Sequence, residues 1–132
     1  GARACDTIEE VLERADFVSL HTPGGAATRH LMNAARLAHM KPGAYLINSS
    51  RGDVIDEAAL VAALRSGTIA GAGLDVYEGE PQVAPELIAM ENVVLLPHLG
   101  SATTETRVAM GMKVLDNAEA FFAGRTPPNR VA

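Results

Sequence analysis

Three short apolar runs, each followed within a few residues by a reactive side chain, constrain this chain more than any other feature. Ala44-Tyr45-Leu46-Ile47-Asn48 precedes Arg51, Ile69 to Val76 precedes Glu80, and Val93-Val94-Leu95-Leu96 precedes Pro97-His98. Each run reads as a β-strand, and helical patterns separate them, so the strands should be parallel. Parallel strands place their carboxyl ends on one edge of the sheet, and ligands of open α/β sheets bind outside those ends. A guanidinium, a carboxylate and an imidazole should therefore converge on one crevice, a set able to hold a carboxylate and move a proton.

The rest of the chain fits that frame. Thr7-Ile8-Glu9-Glu10 has the form of a capping box opening a short helix to about Arg14. Asp16 to Leu20 reads as a buried strand that ends at the turn residues His21-Thr22-Pro23-Gly24-Gly25. Asn33 can cap a helix from Ala34 to about Met40, stopped by Lys41-Pro42-Gly43, and Asp56 can cap another from Glu57 to Arg65. Inside the third strand, Gly71, Ala72 and Gly73 permit a close approach by a helix or ligand. One helical turn is expected near Glu86–Ala89, and a long helix from Thr104 to Phe122 with Val108, Met112, Leu115, Ala118 and Phe122 on one face. That stripe reads as ordinary packing, with part of it expected to be exposed here. The alternation implies an α/β fold, an open parallel sheet with flanking helices.

Composition excludes several classes. At 132 residues and 48% apolar content the chain can bury one core. A net charge of −5 and the lack of a Lys/Arg cluster argue against a nucleic-acid surface. A lone Cys5 leaves no disulfide framework, so a reducing, cytoplasmic setting is expected. We find neither a signal peptide nor an apolar stretch of the roughly 20 residues needed to span a membrane. No His/Cys/Asp/Glu cluster has metal-ligand spacing. His30 and His39 fall in or beside helical segments without acidic partners in the sequence and receive no role. The strand-turn-helix fingerprint G-x-G-x-x-G is missing: Gly71-Ala72-Gly73 lies within a strand and no third Gly follows at Val76. The chain looks like the second half of a Rossmann-type nucleotide-binding domain.

Three motifs in order carry a resemblance: Asn48-Ser49-Ser50-Arg51-Gly52-Asp53-Val54-Ile55-Asp56-Glu57, Gly73-Leu74-Asp75-Val76-Tyr77-Glu78-Gly79-Glu80-Pro81, and Pro97-His98-Leu99-Gly100-Ser101-Ala102-Thr103. With His21-Thr22-Pro23 before them and Ala120-Phe121-Phe122-Ala123-Gly124 after, the chain closely resembles the D-isomer-specific 2-hydroxyacid dehydrogenases. Among these it looks most like the bacterial glyoxylate/hydroxypyruvate reductases.

The resemblance implies that residues 1–132 are part of an NAD(P)-binding Rossmann domain carrying the catalytic residues. A substrate domain and the glycine-fingerprint half would lie upstream, and the third strand of the family sheet would fall around Ala2–Cys5. It further implies NADP or NAD as cofactor and a small 2-keto or 2-hydroxy acid as substrate. The required partner is the missing N-terminal half, and the complete enzyme is expected to be a homodimer. His98 would be the general acid of reduction, Glu80 would pair with it and orient its ring, and Arg51 would grip the substrate carboxylate. Glu78 competes with Glu80 for that role, and Arg51 could instead be a surface arginine tied to Asp53. Around the cofactor the family pattern places His21, Thr22, Pro23, Ser49, Ser50, Arg51, Asp75, His98 and Gly100. The alternative is an isolated, inactive domain acting only as a binding or assembly module. In either case the bare Phe17–Leu20 edge is expected to self-associate, or the first residues to be displaced.

Overall fold

The computed structural model describes residues 1–131 and places four parallel strands side by side. They are β1 (Phe17–Leu20), β2 (Tyr45–Asn48), β3 (Gly71–Leu74) and β4 (Val93–Leu95), in the spatial order β1-β2-β3-β4. Phe17, Val18, Ser19 and Leu20 stand opposite Tyr45, Leu46, Ile47 and Asn48, which in turn face Gly71, Ala72, Gly73 and Leu74. Helices α1 (Ile8–Leu12), α2 (Ala34–Leu37), α3 (Glu57–Arg65) and α4 (Pro85–Ile88) belong to the same compact unit, residues 1–98.

Strand alternation explains the core. Val18, Leu20, Leu46, Ala72 and Leu74 are buried together with Leu12, Leu37, Leu60, Ala63, Leu64 and Leu87 of the helices. Each fully buried Leu contributes on the order of 1.5–3 kcal/mol of transfer free energy. The alternate positions behave differently. Phe17 is 70% exposed, Val94 64% and Tyr45 42%, with the Phe17 and Tyr45 rings stacked at 5.4 Å. Sheets of this parallel kind are ordinarily covered on both faces. Gly71 is required here by close packing, because a Cβ at that position would meet the Tyr45 ring and the Asn92 carbonyl.

The caps form largely where the sequence placed them. Thr7 accepts from the Glu10 amide, Asn33 from that of Arg36 and Asp56 from that of Ala59. The reciprocal arm of the first capping box differs, since Glu10 reaches back to the amide of Asp6. Helix α2 stops at Leu37, short of the expected Met40. The His39 and Met40 amides bond three residues back, to Arg36 and Leu37, tightening the end into turns. β3 is shorter than the apolar run Ile69 to Val76: the buried flanks Ile69 and Val76 pack without joining the ladder. No strand forms at residues 2–5, which are largely exposed, since an extended segment needs a ladder partner that nothing beside it supplies.

Residues 99–131 form a second unit built on α5 (Thr104–Phe122). Thr103 caps its start by accepting from the Thr106 amide. At its end Gly124 takes φ 68°, its amide bonds Phe121 and that of Arg125 bonds Ala120, a Schellman closure. The stripe is exposed over most of its length, as expected in part: Val108, Met112, Leu115 and Phe122 are exposed, and Ala120 is the buried residue of the helix. No described helix is long and apolar enough to cross a membrane.

Candidate active site

The loops leaving β1, β2, β3 and β4 meet at the carboxyl edge of the sheet, as parallel topology requires. They line a cleft of about 780 Å³ bounded by His21, Thr22, Pro23, Ser49, Ser50, Arg51, Glu80 and His98, with Gly24, Gly52, Asp53, Tyr77 and Glu78 completing the wall. An adjoining hollow of about 590 Å³ is mainly apolar and shares Tyr77, Glu80 and His98 with the cleft. The Glu80–His98 pair thus has a polar space on one side and an apolar one on the other.

His98 Nδ1 lies 2.8 Å from Glu80 Oε2, and the other carboxylate oxygen, Oε1, accepts the Tyr77 amide at 2.9 Å. With Nδ1–H donating to Glu80, Nε2 is the nitrogen left to carry or release a proton. Burial alone would push the Glu80 carboxyl up, but the hydrogen bonds from His98 and the Tyr77 amide, with the nearby charges of His98 and Arg51, bring it below the usual range. His98 itself holds a left-handed backbone, φ 55°. Outside glycine such a conformation persists only where the surroundings over-determine it.

Arg51 projects from the β2 loop, and its Nη1 donates to the Ser50 carbonyl at 2.6 Å. The expected alternative partner, Asp53, turns its carboxylate elsewhere and accepts the Gly25 amide at 3.0 Å. Asn48 shapes this loop. Buried at the end of β2, it accepts from the Ser50 amide and hydroxyl and donates to the Arg51 carbonyl. Gly52 must be glycine, because a Cβ there would overlap the Tyr77–Glu78 peptide. Tyr77 ties two strand ends together, its buried hydroxyl donating to the Leu96 carbonyl at 2.7 Å and lying 3.2 Å from that of Leu74. Burial raises its phenol above the ordinary range.

Of the residues expected around a cofactor, the structure brings His21, Thr22, Pro23, Ser49, Ser50, Arg51 and His98 to the cleft wall. His21 Nε2 is anchored 2.8 Å from Ser19 Oγ. Asp75 is outside that lining; its amide bonds the Asn48 carbonyl at 2.9 Å. Gly100 belongs to the second unit, in the turn that precedes α5. Glu78 and Glu80 are separated by their partners: Glu78 Oε1 takes Arg29 at 2.7 Å and His30 at 2.8 Å. His30 and His39 do have acidic partners, the second being Glu13 at 3.1 Å. Sequence reading missed both because the carboxylates come from distant segments. Asn48 and Tyr77 were missed too, although a polar residue closing an apolar strand was a usable signal for Asn48. No group of three or more His, Cys, Asp or Glu among the described residues could hold a metal ion.

A parallel α/β sheet that gathers a basic, an acidic and an imidazole side chain at its carboxyl edge has the ligand-binding arrangement of open α/β proteins. Residues 1–100 match the D-isomer specific 2-hydroxyacid dehydrogenase NAD binding domain, and the chain belongs to that family. Glyoxylate reductase of Thermococcus litoralis is 50% identical over 131 residues, covering 99% of this chain and 39% of that protein. The NADPH-dependent glyoxylate/hydroxypyruvate reductase of Sinorhizobium meliloti, solved with NADP and malonate, superposes at a TM-score of 0.85 with 45% identity over 96% of this chain and 42% of its own. D-lactate dehydrogenase of Lactobacillus jensenii, solved with NAD+, gives 0.87 at 32% identity over 96% and 42%. The chain thus spans about 40% of the length of the relatives it matches.

Proposed function

We propose that this chain is the catalytic half of the nucleotide-binding domain of an NAD(P)-dependent reductase of small 2-keto acids, of the glyoxylate and hydroxypyruvate type. The observation that carries the reading is the 2.8 Å Glu80–His98 contact on the wall of a cleft that Arg51 also lines. The glyoxylate and glyoxylate/hydroxypyruvate reductases named above support the substrate class, and the structures solved with NADP and NAD+ support the cofactor class.

The cleft fits a cofactor on its own evidence. Thr22 Oγ1, in the cleft wall, is buried and has no hydrogen-bond partner, and a polar ligand would supply one. His21, Thr22, Pro23, Ser49 and Ser50 would hold the dinucleotide, with Asp75 as a further contact. Bound there, the nicotinamide supplies the hydride. Arg51 would take the substrate carboxylate in a two-pronged, charge-assisted grip and polarise the keto oxygen. His98 Nε2–H would deliver a proton to that oxygen as the carbonyl carbon is reduced, leaving a hydroxyl group and a neutral imidazole. Glu80 would hold Nδ1–H throughout, fixing the ring with Nε2 directed to the substrate.

The active form would join this chain to a substrate domain and a glycine-fingerprint segment, work in the cytoplasm and assemble as a homodimer. The exposed Phe17, Tyr45 and Val94 face favours a second reading, a module whose role is assembly alone. Grafting residues 1–131 in place of the matching segment of the Thermococcus litoralis reductase separates the two. The first reading expects NADPH- or NADH-dependent glyoxylate reduction by the folded chimera. A folded chimera that binds the cofactor but does not turn over would favour the second.

A further inference from the structure

Two glutamates, separated by a single glycine, each hold a histidine, and one of these pairs has no place in the chemistry proposed above. Glu78 Oε1 receives Arg29 Nη2 at 2.7 Å and His30 Nε2 at 2.8 Å, from a loop forty-eight residues earlier. His30 and His98 are the two non-glycine residues with left-handed backbones among the described residues, φ 50° and 55°. His30 is thus held in place from two directions, its amide bonding the Asp53 carbonyl at 2.8 Å and its ring bonding Glu78. Asp56 Oδ2 stands 4.0 Å from His30 Nδ1, beyond hydrogen-bond reach, while its Oδ1 caps α3.

The segment that carries Glu80 is anchored at both ends, Gly52 packing against the Tyr77–Glu78 peptide and the Gly79 carbonyl accepting the Gln82 amide at 3.0 Å. Tyr77 fixes its start through the Leu74 and Leu96 carbonyls, and the Glu78 amide donates to Glu57 Oε2 at 3.2 Å. Gly79, the residue with the widest backbone freedom, then separates Glu78 from Glu80. With the Glu78 side chain released, a shift about Gly79 would reach Glu80, opposed by the turn bond from the Gln82 amide to the Gly79 carbonyl. An ion pair as exposed as this one, with the Arg29 side chain 56% accessible, adds little to global stability. Its consequence is geometric instead, since misplacement of a catalytic group by about 1 Å can cost on the order of 100-fold in rate.

We propose that Arg29 and His30 grip Glu78 as a positioning clasp, setting the 77–80 segment so that Glu80 meets His98. The proposal rests on the reading of Glu80 and His98 as the catalytic pair, and its test does not depend on turnover. In the full chain, carboxyl carbon NMR follows the titrations of Glu78 and Glu80, and hydrogen exchange follows the Tyr77 amide that donates to Glu80. In R29A/H30A the Glu78 titration rises toward the ordinary range, which reports that the clasp is open. The clasp then requires Glu80 to rise with it and the Tyr77 amide to exchange at least tenfold faster. H30Q, which keeps a donor to Glu78, should restore both.

Movement of Glu78 with Glu80 and Tyr77 unchanged overturns the proposal and leaves the catalytic reading intact. Should the double variant fail to fold, R29A alone decides the question, because Glu80 must follow Glu78 by a smaller amount. In the grafted reductase the clasp variants should lower kcat several-fold with KM little changed. Turnover lost through His98 substitution but untouched by opening the clasp would again refute the clasp alone.

Discussion

The Glu80–His98 and Glu78–His30 pairs share chemistry, contact length and backbone strain, yet they differ in what surrounds them. Both contacts measure 2.8 Å, and both histidines are left-handed. Glu78 is compensated by a permanent cation, Arg29, on the same oxygen that His30 uses. Glu80 instead divides its oxygens between His98 and a backbone amide. His98 borders the cleft and the apolar hollow, whereas His30 borders neither. On the function proposed above, the pair whose free nitrogen borders the cleft is the one placed to move a proton. Where a fixed charge closes the pair, it serves as a fastening.

Substitution of the two histidines should break this comparison most sharply. In the grafted reductase, His98→Ala should reduce kcat by roughly 100- to 10,000-fold, the range spanned by loss of a general acid. His30→Ala should cost several-fold, so steady-state kinetics of the two variants side by side is the check. Gly52→Ala strikes the peptide that leads into both pairs, since its Cβ overlaps Tyr77 and Glu78. Overpacking of this kind should destabilise by about 1–3 kcal/mol, read from urea unfolding. Tyr77→Phe removes the hydroxyl bonded to Leu96 and should cost about 1 kcal/mol in the same assay.

Acid sharpens the comparison more gently. The Glu78 carboxyl is held low first by the His30 hydrogen bond, and the Glu80 carboxyl is low on balance despite its burial. A depressed carboxyl contributes stability that is complete above its unfolded pKa, about 4.3, and is lost as pH falls through the lower folded value. Stability should thus decline below about pH 4.3, and replacing either glutamate with Gln should flatten part of that decline.

How much of this was legible depended on distance along the chain. Helix α3 begins where Asp56 caps it, and α3 and α5 span the expected Glu57–Arg65 and Thr104–Phe122, because such signals are local. Strand order and the shared edge followed from parallel alternation, and Arg51 and His98 at that edge followed in turn. Choosing Glu80 over Glu78 needed the family resemblance, since local sequence gives the two residues equal claims. The Glu78–His30 contact was out of reach because forty-eight residues separate its members. The stripe on α5 was legible as an apolar face and partial exposure was expected, but periodicity says nothing of what covers such a face. At residues 2–5 a strand failed to form because a ladder needs a neighbour.

The central claim is that the imidazole held by Glu80 gives the proton to the keto oxygen. Chemical rescue tests it most directly, with added imidazole restoring glyoxylate reduction to the grafted His98→Ala enzyme. The account predicts a slow variant whose turnover rises with imidazole concentration and rises more at the pH values where imidazole is protonated. Turnover that holds at the native rate without imidazole, or stays at the variant's level at every imidazole concentration, would contradict it.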